Sequence, residues 1–283
     1  MKDDRPSVTA HRVAMRRAAH QLLDQPVVLD DPIALRIVGP RAADAIKAHP
    51  RRYDSGFGRA LRLFLVARSR VAEDALAAAV AADVRQYVVL GAGLDTFAYR
   101  NPHPPETLRV FEVDFPATQR WKRELLRRAG IAMPAGLTFV PVDFETQTLE
   151  AALPAAGFAL DQPAFFSWLG VSMYLTRDAV LATLAMVARR PPGSGITFDY
   201  LIPPDQMPWL RRIGFWLLAR RLARAGEPWR TWFAPEELTR ELGALGFTRL
   251  DDLDGDALNA RYFAGRERRL GGRSSGHVMT AWR

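Results

Sequence analysis

From Gln86 onward the chain alternates short apolar runs with longer stretches whose apolar residues recur at helical spacing. The runs at 87–90, 108–113, 137–142, 164–169 and 195–201 have the length and bounding residues of buried strands. Between them, 116–129, 146–156 and 177–189 read as helices. In the last of these, Val180, Leu181, Leu184 and Val187 make one apolar face. Strands alternating with helices predict an α/β fold, a parallel sheet covered on both faces.

The flanking regions differ. Residues 8–82 read as helical: 8–23, then 31–38 with Asp31 as N-cap and Pro32 in the first turn, then an alanine- and leucine-rich stretch at 58–82. Beyond the fifth strand, 209–225 has a long apolar and basic helix pattern. Residues 235–245 form another helix, and 247–253 and 277–282 are closing strands. Together these predict a seven-stranded, mostly parallel sheet with an antiparallel edge strand. The whole chain, 1–283, reads as one domain. Its parts are an N-terminal helical cap at 1–82, a ligand-binding core at 83–202, a lid insert at 203–234 and a C-terminal completion of the sheet at 235–283.

The first strand runs into Gly91-Ala92-Gly93, a turn that lets backbone approach a ligand closely. Glu112 and Asp114 follow at the end of the second strand, 21 and 23 residues after Gly91. A glycine turn with a carboxylate roughly 20 residues on is the arrangement that holds an adenosine ribose. By period two, Glu112 and Asp114 share a side of their strand, and they are expected as a pair at its end, because a buried unpaired acid is costly. The dinucleotide fingerprint needs a third glycine, and here Thr96 takes that place with Asp95 before it. A carboxylate there repels a pyrophosphate. It suits a ligand with an adenosine and a positive charge, a description that S-adenosylmethionine meets. Asp95 as a helix cap is the competing reading.

Composition narrows the picture. The 283 residues are 48% hydrophobic and 25% charged, as expected of a globular protein. There is no cysteine, so disulfides, cysteine zinc sites and a cysteine nucleophile are excluded. The N-terminal residues lack an apolar core of signal-peptide length, and no run approaches a membrane span, so a cytoplasmic protein is expected. The net charge is +8, and of the 39 basic residues only Lys2, Lys47 and Lys122 are lysines. The arginines interleave with acids along the chain, which reads as a solvated surface ahead of a nucleic-acid footprint. The five histidines are scattered without metal-ligand spacing, so no metal is expected.

Seven motifs in order carry a family resemblance: LDDPIA (29–34), ARSRVAED (67–74), VVLGAGLDTFAYR (88–100), VFEVDFP (110–116), FVPVDF (139–144), FFSWLGVSMYLT (165–176) and GEPWRTWFAPEEL (226–238). With them the chain resembles the bacterial branch of the leucine carboxyl methyltransferase family. These are Rossmann-like class I methyltransferases that use S-adenosyl-L-methionine. The resemblance implies that Arg68 pairs with the carboxylate of the methionine moiety, that Gly91 and Gly93 let backbone approach the cofactor, and that Asp114 takes the ribose hydroxyls. It further implies that Asp143 and Phe144 flank the adenine. The protein-methylating members carry a glutamate where this chain has Leu169, so their protein substrate does not transfer with the resemblance. Arg16 and Arg17 stand as candidates for the N-terminal basic residue of those members.

The acceptor is expected to be a small organic molecule methylated on a carboxylate or hydroxyl oxygen. Trp168 and Tyr200, at the ends of strands four and five, read as facing the acceptor cleft or as core. Trp209 and Trp216 read as the apolar side of a lid closing that cleft; an interfacial helix on a membrane surface is the competing reading. A hydroxyl acceptor calls for a base, which His11, His20 or His277 offers; a carboxylate does not. Two rival functions stay open: a nicotinamide-dependent oxidoreductase, and a non-catalytic RNA-binding protein on the same scaffold.

Overall fold

The computed structural model describes residues 7–143, 146–207, 209–224, 228–270 and 275–283. Five helices come first: α1 (Val8–Leu23), α2 (Ala34–Val38), α3 (Pro40–Ala48), α4 (Arg51–Asp54) and α5 (Gly56–Ala81). Strands and helices then alternate as β1 (Gln86–Leu90), β2 (Arg109–Asp114), α6 (Pro116–Arg128), β3 (Leu137–Pro141), α7 (Leu149–Ala155), β4 (Ala164–Trp168), α8 (Arg177–Ala188) and β5 (Gly195–Leu201). The chain closes with α9 (Trp209–Arg224), α10 (Pro235–Leu245), β6 (Arg249–Leu253), α11 (Gly255–Tyr262) and β7 (Gly276–Trp282).

Local chemistry sets many of the boundaries. Thr176 accepts the Ala179 N–H at 3.3 Å and opens α8. Proline at the first helical position starts α6 and α10, and Gly246, left-handed at φ 100°, ends α10. Asp31 Oδ1 accepts the Ala34 N–H at 3.1 Å across a turn, and α2 begins at Ala34 with Ile33 as its N-cap, one turn later than the sequence predicts. Helices α3 and α4 lie in the stretch 8–82 read as helical, between its named segments, and α11 lies outside every expected helix. Two of them carry cap signals all the same: Pro40 opens α3, and Asp254 caps α11 by accepting from Asp256 N–H and Ala257 N–H.

The seven strands lie in the order β3-β2-β1-β4-β5-β7-β6. Pairings among β1 to β5 are parallel, and β7 is antiparallel to both β5 and β6. The antiparallel strand therefore sits one place in from the edge strand β6. One face of the sheet is covered by α7, α8 and α10 through a core containing Val88, Phe111, Phe166, Phe198, Leu184 and Leu238. On the other face, α5 packs Leu76 and Ala79 against Tyr87, Val89, Val110 and Phe165. Strand β1 pairs with β2 on one side and β4 on the other, so chain order reverses there. In open α/β sheets the crevice outside the carboxyl ends at that reversal is where ligands bind.

Candidate functional site

The carboxyl end of β1 enters the glycine turn at this reversal. Gly91 and Gly93 have φ of 66° and 48°, left-handed values that favour glycine. The Ala92 N–H donates to the Val113 carbonyl at 3.0 Å, which ties the turn to β2. A Cβ on Gly91 would lie 2.4 Å from Val171 Cγ2, and one on Gly93 would lie 3.1 Å from Ala10 Cβ of α1. Both glycines thus meet a steric as well as a conformational demand.

Asp114, at the carboxyl end of β2, is half-buried beside the turn. Its two oxygens accept the N–H groups of Gly93 and Phe115, at 2.5 and 2.7 Å. Burial raises this carboxyl above its ordinary range, against the opposing effect of those two N–H groups. Each carboxylate oxygen has two lone pairs, so acceptor capacity is left for a pair of hydroxyls.

Glu112 corrects the expected pair at the strand end. It is fully buried, and Lys122 Nζ of α6 donates to its Oε2 at 2.6 Å. Burial raises its carboxyl to about 7, against the opposing pull of the Lys122 ammonium. The side chain is part of the β2–α6 interface. The reason is that α6 supplies a buried cation, which removes the penalty on which the expectation rested.

Arg68, on the buried face of α5, reaches the ends of β4 and β5. Its Nη1 donates to Asp199 Oδ2 at 2.6 Å, and the other Asp199 oxygen accepts the Gly170 N–H at 2.5 Å. Ser172 Oγ donates to the Asp199 carbonyl at 2.6 Å. Gly170 is left-handed at φ 75°, and a Cβ there would lie 2.9 Å from Arg68 Nη2, so the guanidinium rests on bare backbone. Arg68 Nε is buried without a hydrogen-bond partner. Asp199 was not singled out from the sequence, although an acid inside the apolar run of β5 needs a buried partner and so carried a signal.

These residues form one chain of contacts. Arg68 lies on Gly170, the next residue Val171 lies on Gly91, and Gly93 is bonded to Asp114. Asp143 follows β3 and belongs to a turn in which its carbonyl accepts the Thr146 and Gln147 N–H groups. Phe144 lies outside the described residues. Asp95 caps locally, accepting the Phe97 N–H at 2.8 Å, and lies 3.5 Å from Arg17 Nη1. Arg17 is buried beneath the turn, donating to Asp31 and Thr96, whereas Arg16 donates to the carbonyl of Arg12.

Of the expected acceptor-side residues, two are buried and two are exposed. Trp168 is buried against Phe198, and Tyr200 is buried and donates to Asp252 Oδ2 at 2.7 Å; both are core. Trp209 is 64% exposed and Trp216 49% exposed, on the outward side of α9. Among the described side chains of α9, Phe215 turns inward and packs with Met173, Leu201 and Met207 beside the ends of β4 and β5. Among the histidines, His20 is structural: its Nε2 accepts the Val28 N–H at 2.9 Å, and its Nδ1 is 2.8 Å from Asp24 Oδ2. His11 lies against Trp121, and His277 Nδ1 is 3.1 Å from Asp252 Oδ2.

A model of the leucine carboxyl methyltransferase family matches residues 10–188, and these hold the glycine turn, Arg68, Asp114 and Asp143. The chain belongs to that family. With it the chain belongs to the S-adenosyl-L-methionine-dependent methyltransferases. YktD of Bacillus subtilis, named as such a methyltransferase, is 30% identical over 99% of both chains. A Mycolicibacterium smegmatis protein of the same designation is 34% identical over 69% of this chain and 67% of its own. A crystal structure described as a methyltransferase from Thermobifida fusca shares the fold, with a TM-score of 0.56 at 17% identity over 100% of this chain and 96% of that one. The residues present fit the family cofactor. The buried, unpartnered N–H of Arg68 suits a carboxylate, and Asp114 has lone pairs for ribose hydroxyls.

Proposed function

We propose that the chain transfers a methyl group from S-adenosylmethionine to a carboxylate or hydroxyl oxygen of a small organic acceptor. The observation that carries this reading is the contact chain from Asp114 through the glycine turn and Gly170 to Arg68. It spans the switch point with a hydroxyl acceptor at one end and a cation at the other. Arg68 would hold the methionine carboxylate, with Asp199 fixing the guanidinium in place. Asp114 would hold the ribose, while Gly91 and Gly93 admit the ligand against backbone. Asp143 and Phe144 stand after β3, where the adenine would lie.

When bound, the cofactor would supply a sulfonium-activated methyl group, whose carbon gains a bond to the acceptor oxygen in line as its bond to sulfur breaks and neutral S-adenosylhomocysteine leaves. The remaining work of the protein is alignment and exclusion of water. On the acceptor side, Met173, Leu201, Met207 and Phe215 form an apolar wall at the ends of β4 and β5. That wall favours an apolar or aromatic acceptor whose oxygen projects toward the turn. A carboxylate acceptor is already ionised near neutral pH and needs no base.

The test is methyl transfer from radiolabelled S-adenosylmethionine to a panel of apolar carboxylic acids, phenols, amines and thiols. An ester product is cleaved by mild alkali and an ether is not. Labelled oxygen products support the reading. Label found only on nitrogen or sulfur acceptors contradicts it.

A further inference from the structure

Helix α9 carries five arginines, Arg211, Arg212, Arg220, Arg221 and Arg224, and no acidic residue. At about 100° per residue, Trp209, Ile213, Trp216, Leu217 and Arg220 fall on one stripe of the helix. The structure turns this stripe outward. Trp209 is 64% exposed, Ile213 53%, Trp216 49% and Leu217 64%, with Arg212, Arg220 and Arg224 exposed around them. The described residues include eight exposed large apolar side chains, and four of them are these. Phe215 meanwhile anchors the opposite side to Met173 and Met207. The helix is therefore apolar both toward the core and away from it. An outward apolar stripe of this kind marks a binding surface.

We infer that α9 seats the protein on an anionic lipid surface, with its axis parallel to that surface. Indoles and aliphatic side chains enter the boundary between headgroups and acyl chains, and the guanidiniums meet lipid phosphates. Charge selects this occupant. A second copy of the chain would set α9 against α9, bringing arginines together without an acid from either helix. RNA would satisfy the arginines and stack on the tryptophans but leave Ile213 and Leu217 against a polar backbone. At 16 residues α9 is too short to cross a bilayer, and no described helix is long and apolar enough to do so. Lying on the surface uses both of its outward properties at once. This goes beyond the methyl-transfer reading and does not depend on it.

The test is sedimentation of the full chain with phosphatidylglycerol vesicles and, separately, phosphatidylcholine vesicles at low salt. Partition onto phosphatidylglycerol and not phosphatidylcholine is expected. Replacing Arg212, Arg220 and Arg224 with glutamine should weaken it by about a hundredfold. The exposed pair Ile213→Ser and Leu217→Ser should weaken it by about tenfold or more while far-ultraviolet circular dichroism stays that of the parent. Absence of partition onto phosphatidylglycerol overturns the inference. So does serine-pair partition equal to the parent's, which would assign the attraction to the overall +8 charge. Tighter binding to homopolymeric RNA than to the vesicles, or a dimer that the serine pair dissolves, overturns it as well.

Discussion

Asp114 and Arg68 hold the two ends of the site, and each makes a separable prediction. Asp114→Ala removes charge-assisted hydrogen bonds worth roughly 1.5–3 kcal/mol, so S-adenosylhomocysteine should bind about tenfold to a hundredfold more weakly. An unchanged dissociation constant, read by calorimetry, would take the ribose away from Asp114. Arg68→Ala should weaken S-adenosylhomocysteine but leave adenosine nearly unaffected, because only the first carries a carboxylate. Equal losses for both ligands would make Arg68 structural. Away from the ligand, Glu112 and Lys122 couple stability to pH. The Glu112 carboxyl titrates at about 7 in the folded protein against an ordinary 4.5, so the folded state holds this proton longer than the unfolded chain. The stability that proton contributes is complete below pH 4.5 and is lost as pH rises through about 7. Lys122→Met leaves the carboxylate without its cation and should cost roughly 3–5 kcal/mol near pH 8. The cost should shrink toward pH 5, where Glu112 binds a proton and is neutral. Urea denaturation at both pH values checks this, and an equal cost at the two would contradict the buried-pair account.

At the scale of elements, the strands and long helices were readable because burial on two faces and helical periodicity leave strong marks. The runs at 87–90 and 195–201 became β1 and β5 with at most one residue of change. Helix α9 was readable as a helix but not in its orientation. Its wheel sets Phe215 about 100–120° away from Trp209 and Trp216, and periodicity cannot say which apolar side turns to the core. Packing decides it in favour of Phe215, because Met173, Leu201 and Met207 offer a complementary surface at the ends of β4 and β5. Phe215→Ala should therefore change KM for the acceptor by several-fold while leaving cofactor affinity nearly intact. Trp209→Ala should change neither. The reverse pattern, measured by steady-state kinetics with any acceptor found, would restore the tryptophans as the closing side of a lid.

For the whole molecule, the position of the site followed from topology that the sequence made legible. A glycine turn after the first strand and an acid ending the second mark a switch point between β1 and β4, and the sheet has it. The placement of β7 between β5 and β6 was less legible, because pairing order among closing strands depends on contacts far apart in sequence. Asp199 and Lys122 escaped for the same reason. Each lies far along the chain from, or across an interface from, the partner that explains it, Arg68 in the first case and Glu112 in the second. One ligand is expected to occupy the crevice between Asp114 and Arg68. Calorimetric titration of the purified protein with S-adenosylhomocysteine tests that most directly. Saturable binding at a single site, weakened by Asp114→Ala and by Arg68→Ala, is the predicted result. A folded protein that takes up no S-adenosylhomocysteine at millimolar concentration would contradict it.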